Sequence, residues 1–173
     1  MSKDRPVPYT QSSLENAALH YLERFDSSSA NLRRVLLRKV SRAAGANDSP
    51  GDDALAMVEA VIAKLCGLGY VDDRRYANAK AHALRSRGSS ARKVEAGLAA
   101  KGVGRDLIRQ AMDSLDEPSE DGELKAAMTF ARKRRLGPFR GQDRALNRQK
   151  DLAAMGRAGF DWSVAKQVID SSE

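Results

Sequence analysis

Nine short apolar stripes, each with the period of an α-helix, constrain this 173-residue chain more than any other feature. Leu14, Ala18, Tyr21, Leu22 and Phe25 form the first, Leu32, Val35, Leu36 and Val40 the second, and Val58, Val61, Ile62 and Leu65 the third. Next come Tyr76, Lys80, Ala81 and Leu84; then Ala91, Val94 and Leu98; then Leu107, Ile108, Ala111, Met112 and Leu115. The last third carries Leu124, Ala127, Met128 and Ala131, then Leu152 and Met155, then Trp162, Ala165, Val168 and Ile169. Residues recurring at i, i+3, i+4 and i+7 share one helical face, and no alternating β-branched and polar run competes with them. The fold class is therefore all-α. Aromatic residues are only 5% of the chain, so the core must be aliphatic and alanine-rich, which suits helices. Pro50, Pro118 and Pro138 fall between stripes, where a missing N–H costs no helix. Ser12 and Glu15 have capping-box spacing at the first helix.

The nine stripes group by threes. Ser28 aligns with Ser90, Leu32 with Val94, Leu36 with Leu98 and Lys39 with Lys101, and Gly159 stands in the third set where Gly102 stands in the second. Internal similarity of this kind marks a helical repeat array, in which each unit buries its face against a neighbour. The expected layout is an N-terminal arm over 1–10, repeat one over 11–71, repeat two over 72–116, an acidic linker over 117–122 and repeat three over 123–173.

Chemistry for catalysis is missing. Two histidines, His20 and His82, and one cysteine are too few soft ligands for a structural zinc site. Cys66 lies on an apolar helical face and is expected to be a small core residue. There is no phosphate-cradling Gly-x-x-x-x-Gly-Lys-Ser/Thr loop, and Gly102-Val103-Gly104 lacks the preceding strand of a dinucleotide site. Asp52-Asp53 and Asp72-Asp73 sit at helix starts, where capping explains them. No enzyme activity and no cofactor are expected. No stretch of about 18 apolar residues is present, and the N-terminus lacks an apolar signal core, so a cytoplasmic location is expected.

The positive signal is basic charge. The net charge is +7 and the pI is about 9.8, which points to nucleic acid, an acidic protein face or an anionic membrane. Arg33, Arg34, Arg38, Lys39 and Arg42 crowd the second helix, and Arg85, Arg87, Arg92 and Lys93 surround Gly88. Arg132, Lys133, Arg134 and Arg135 are followed by Arg140, Arg144 and Arg148, with Asp143 the only acid from 132 to 150. Like charges one turn apart destabilise a helix by a few tenths of a kcal/mol, so a one-sign cluster argues for an anionic partner. Apart from Arg42, these residues are the candidate contacts.

Gly69-Tyr70-Val71-Asp72-Asp73-Arg74-Arg75-Tyr76-Ala77 joins the first and second sets. Glycine can end one helix with a positive φ, and aspartate can cap the next. Tyr70 and Tyr76 are expected to pack where the repeats meet. The motif resembles the Gly-Tyr-aliphatic-Asp-Asp-x-Arg/Lys-aromatic-Ala signature of the RecX family, regulators of the RecA recombinase. Arg85-Ser86-Arg87-Gly88, Ser90-Ala91-Arg92-Lys93-Val94 and Leu98-Ala99-Ala100-Lys101-Gly102-Val103 extend the likeness, and 133–140 looks like the third repeat of one bacterial branch. Repeat one departs from the pattern: Val40 stands where the family usually has Gly, Asn31 where an acid is common, and Ala43 to Gly51 is a longer insertion. The resemblance implies tandem three-helix units in an elongated, curved body. It also implies a monomer that binds the RecA–DNA filament and restrains strand exchange, ATP hydrolysis and co-protease activity. DNA, single- or double-stranded, would be contacted without sequence preference. The competing class is a helix-turn-helix DNA reader with 27–42 as recognition helix, and a weaker one is an adaptor for an unrelated acidic protein.

Overall fold

A computed structural model of the chain describes residues 9–44, 51–116 and 122–172. The expected arm up to residue 8, the core of the 43–51 insertion and the linker at 117–121 lie outside them. The described residues form nine α-helices and no strand: α1 (Gln11–Leu22), α2 (Ser29–Ala44), α3 (Asp52–Gly67), α4 (Asp73–Ser86), α5 (Ala91–Ala100), α6 (Arg105–Asp116), α7 (Gly122–Arg134), α8 (Arg144–Arg157) and α9 (Trp162–Asp170). A single 3-10 turn, Gly137–Phe139, carries the buried Pro138 between α7 and α8.

The helices fall into two compact units, 1–76 with 101–103, and 77–100 with 104–173. In the first, α1, α2 and α3 pack on one another around Leu14, Leu32, Leu36, Val58, Val61 and Leu65, all at most 2% exposed. Tyr9, the penultimate residue of the expected arm, packs against this core. In the second, Ala127, Ala131, Met155, Val168 and Ile169 close the core of α7, α8 and α9, while α5 packs on α6. Leu98, aligned with Leu36, is likewise fully buried.

Several local expectations are corrected. The N-cap of α1 is Thr10, whose box partner is Ser13, so Ser12 caps nothing and Glu15 instead pairs with Lys64. Helix entry two residues earlier than Ser12 suggests accounts for the shift. α1 ends at Leu22, which strands Phe25 in solvent, and Trp162 opens α9 facing outward. Tyr76 is buried as expected, whereas Tyr70 is exposed. Tyr70 follows Gly69, whose φ of +75° turns the chain out of α3 while the Tyr70 N–H returns to the Leu65 carbonyl. Cys66 is exposed rather than core, on the solvent side of α3. Burial by neighbouring atoms, and then the Asp73 carboxylate, still push its thiol pKa up. Asp52 and Asp53 occupy the first turn of α3 behind an N-cap glycine, Gly51, so they complement the dipole without capping by side chain.

Candidate partner-binding clefts

Three hydroxyl groups organise the surroundings of the basic residues. In the first unit Ser28 begins α2: its Oγ accepts from the Asn31 N–H at 3.1 Å and donates to the Lys101 carbonyl at 2.5 Å. In the second, Ser90 begins α5: its Oγ accepts from the Lys93 N–H at 3.3 Å and donates to the Ala158 carbonyl at 2.7 Å. A carboxylate completes each start. Asp73 accepts from the Ser29 N–H at 2.6 Å, and Glu123 from the Ala91 N–H at 3.0 Å. Of the two aspartates expected to cap α4, only Asp72 does so, through the Arg75 N–H, which holds its carboxyl below the usual range. Asp73 serves α2 instead. Glycine is required at both docking points. A Cβ on Gly102 would lie 2.5 Å from the Ala30 Cβ, and one on Gly159 2.6 Å from the Ser90 Oγ. The third hydroxyl is that of Tyr9, which donates to the Lys39 carbonyl at 3.0 Å. Lys39, Lys101 and Ala158 are equivalent in the repeat alignment.

Against this frame, the candidate cations divide. Arg33 chelates Glu59 at 2.5 and 2.6 Å, and its hydrogen bonds hold the Glu59 carboxyl below the usual range. Arg85 pairs with Glu123. Arg140 grips Asp151, which also accepts from the buried Gly137 N–H at 2.9 Å. Burial alone would raise the Asp151 pKa, but Arg140 and the Gly137 N–H outweigh it and the net direction is down. Arg144 donates to the carbonyls of Ile169 and Ser171 at the end of α9, and Arg148 chelates Asp170 at 2.7 Å. The expected one-sign cluster is thus partly neutralised, because Asp151 stands one residue beyond it and Asp170 folds back onto it. Arg132 covers the Phe139 ring at 5.1 Å, and Lys133 donates to the Arg87 carbonyl at 3.0 Å. Arg34, Arg87, Arg92, Arg134 and Arg135 are exposed, Arg135 in the left-handed region at φ 54°.

Two basic-rimmed clefts emerge. In the second unit Lys93, Arg134 and Arg157 surround an opening of about 380 Å³ floored by Phe130, Leu136 and Ala154. In the first unit Arg24, Arg38, Lys39 and Arg42 rim a groove of about 620 Å³ between α1 and α2. Among the described residues neither is lined by a carboxylate. Arg157 and Arg24 were not among the sequence candidates. Register signals Arg157: the glycine alignment places it opposite Arg38. Arg24 lies beyond its helix and gives no periodic signal. No group of described residues could hold a metal ion, and no described helix is long and apolar enough to cross a membrane.

Residues 72–112 match the family model described as RecX, second three-helix domain. A curated regulatory protein RecX from Myxococcus xanthus (strain DK1622) is 46% identical over 97% of this chain and 90% of its own length. The chain belongs to the RecX family. A second curated RecX, from Agrobacterium fabrum (strain C58), is 28% identical over 89% of this chain and 80% of its own length. Two solved structures share the fold. One described as the crystal structure of regulatory protein RecX gives a TM-score of 0.67 at 22% identity, covering 93% of this chain and 72% of that one. RecX from Lactobacillus salivarius gives 0.65 at 18% identity, covering 92% and 94%. The fold is that of tandem three-helix RecX domains, and the family is one of regulatory proteins rather than enzymes.

Proposed function

We propose that this RecX chain binds the RecA–DNA filament and restrains its strand exchange, ATP hydrolysis and co-protease activity. The observation that carries the reading is 46% identity over nearly the whole chain to a regulatory RecX protein. On this reading the repeats span 11–71, 72–116 and 123–173, the protein acts as a cytoplasmic monomer, and DNA is contacted without sequence preference. The matching serine–carbonyl–carboxylate clusters at Ser28 and Ser90 support the repeat boundaries. Successive units offer a chain of weak contacts whose effects multiply through effective concentration. They restrain the filament if they fit one of its states better than the others.

The contact surface we assign is the cleft of Lys93, Arg134 and Arg157 with the adjoining Arg87, Arg92, Arg132, Lys133 and Arg135. Arg33, Arg85, Arg140, Arg144 and Arg148 hold the fold together first. The test is RecA-driven strand exchange and DNA-dependent ATP hydrolysis with the parent chain and with a Lys93→Glu, Arg134→Glu, Arg157→Glu triple variant. The parent inhibits both reactions, and the variant inhibits weakly at unchanged helicity. Its filament binding also depends less on salt, since each phosphate contact contributes a log–log slope of about −0.9. Tight, sequence-selective binding to bare duplex DNA, with no effect on either reaction, refutes the reading in favour of a helix-turn-helix regulator.

A further inference from the structure

The groove between α1 and α2 has a chemistry that family membership does not explain. Its floor is apolar, built from Ala17, Tyr21, Val35 and Leu36. Phe25 stands at its side 55% exposed, with its ring 5.2 Å from that of Tyr21. Arg24, Arg38, Lys39 and Arg42 rim it, and no carboxylate lines it among the described residues. An exposed aromatic at a concave apolar site is the type of side chain that anchors a protein partner, because covering it removes a large apolar area from water. Four cations around one opening repel each other until an anion arrives.

The groove also occupies a telling place in the repeat. The carbonyls of Lys101 and Ala158 each receive the N-terminal turn of a helix from within the chain, at Ser28 and at Ser90. The aligned residue of repeat one, Lys39, lies inside α2, and among the described residues its carbonyl accepts from the hydroxyl of Tyr9, which lines the groove. Among the described residues a helix start docks at this position in the second and third sets and none docks at it in the first.

We propose that the α1–α2 groove docks an acidic peptide segment of a partner protein, with an apolar or aromatic side chain as its anchor. Residues 1–8 of the chain are a poor occupant, since Lys3 and Arg5 outweigh Asp4. Single-stranded nucleic acid is disfavoured because the Tyr21 ring lies in the apolar floor against Phe25, which leaves Phe25 as the exposed ring where a strand needs successive stacking platforms. The proposal goes beyond the filament reading and does not rest on it.

Fluorescence anisotropy with the full chain tests it. The probe is a labelled short peptide in which a Leu-Phe pair is flanked by Asp and Glu. The comparators are the same peptide with Ser-Ser in place of Leu-Phe, and an oligothymidylate of matching length. The acidic Leu-Phe peptide binds. An Arg38→Glu, Arg42→Glu double variant and a Phe25→Ser variant each weaken it by about tenfold or more at unchanged helicity. The proposal is overturned by any of four results: equal binding of the Ser-Ser peptide, displacement of the peptide by the oligothymidylate, indifference to both variants, or no peptide binding. Binding seen only after removal of residues 1–8 also overturns it, since the chain's own N-terminus would then hold the groove. Inhibition of strand exchange, measured without peptide, reports separately on the filament reading.

Discussion

Replacing Ser28 or Ser90 by alanine removes one oxygen and breaks two bonds at once. Ser28 is fully buried; its Oγ caps α2 at the Asn31 N–H and satisfies the Lys101 carbonyl. Loss of an N-cap serine costs about 1 kcal/mol, and leaving the part-buried Lys101 carbonyl without its donor costs about 1 kcal/mol more, the low end of the range. Ser28→Ala is therefore expected to cost about 2 kcal/mol. Ser90→Ala should cost slightly less, because its capping bond is longer, 3.3 Å against 3.1 Å. The two sites share no partner, so the double variant should lose roughly the sum. Ser29→Ala is the control: it loses the bond from its Oγ to Asp73, but the Ser29 N–H keeps the same carboxylate, so its cost stays below about 1 kcal/mol. Urea unfolding supplies the free energies. Thermal melts should fall by about 4–8 °C for each single variant if the chain unfolds as one. Native-state hydrogen exchange should show the Asn31 and Lys93 amides losing protection in their respective variants. A cost below about 0.5 kcal/mol for either serine, the level of an ordinary surface change, refutes the claim that these hydroxyls hold the helix starts to the carbonyls.

Acid should act on Asp151. Its folded pKa lies below the ordinary value, so its contribution is fully present above about pH 4 and is lost as pH falls through the depressed value. Asp151→Asn should differ from the parent in stability at neutral pH and converge with it in acid; a constant difference from neutral pH down to strong acid counts against the Arg140–Asp151 charge pair. Arg135→Gly should raise stability by about 0.5–1 kcal/mol, because a non-glycine residue at φ 54° closes α7, and a lower urea midpoint would show that the arginine side chain holds that turn. Tyr9→Phe removes only the hydroxyl that reaches Lys39, and should cost no more than about 1 kcal/mol because the bond is exposed; its melting curve checks this.

Helices were legible in this sequence because burial imposes a period, and each of the nine stripes became a helix. The errors fall at helix ends. Phe25 continues the stripe of α1 in sequence but lies past its last turn, and Trp162 sits on the first residue of α9, where the neighbouring helices leave it exposed. Periodicity ranks faces and cannot say where a helix stops. The basic clusters were legible as composition, while their pairing was not. Glu59, Glu123 and Asp170 lie 26, 38 and 22 residues from the arginines they bind, far outside any i,i+4 pattern. Asp151 directly follows Lys150 in the chain, but nothing in the sequence marks it as the buried carboxylate that neutralises Arg140.

Val40 shows how a departure from a repeat can report position in the array. At Gly102 and Gly159 the chain adopts φ of +76° and +91°, just beyond the last turns of α5 and α8, and leaves room for Ala30 and for Ser90 to approach. A side chain at either place would collide with that neighbour. At Val40 no helix start arrives among the described residues. Tyr9 reaches the adjacent carbonyl, along a side chain long enough to keep its own backbone away. α2 is then free to continue as a right-handed helix through Val40 to Ala44, and Val40 turns its Cβ into the core of the first unit, 4% exposed. Glycine at that position would give up this burial and gain no contact. The substitution that weakens the internal sequence match therefore follows from the same physics as the match itself: glycine is needed where another helix start must dock, and a β-branched apolar residue is better where the helix runs on into the core.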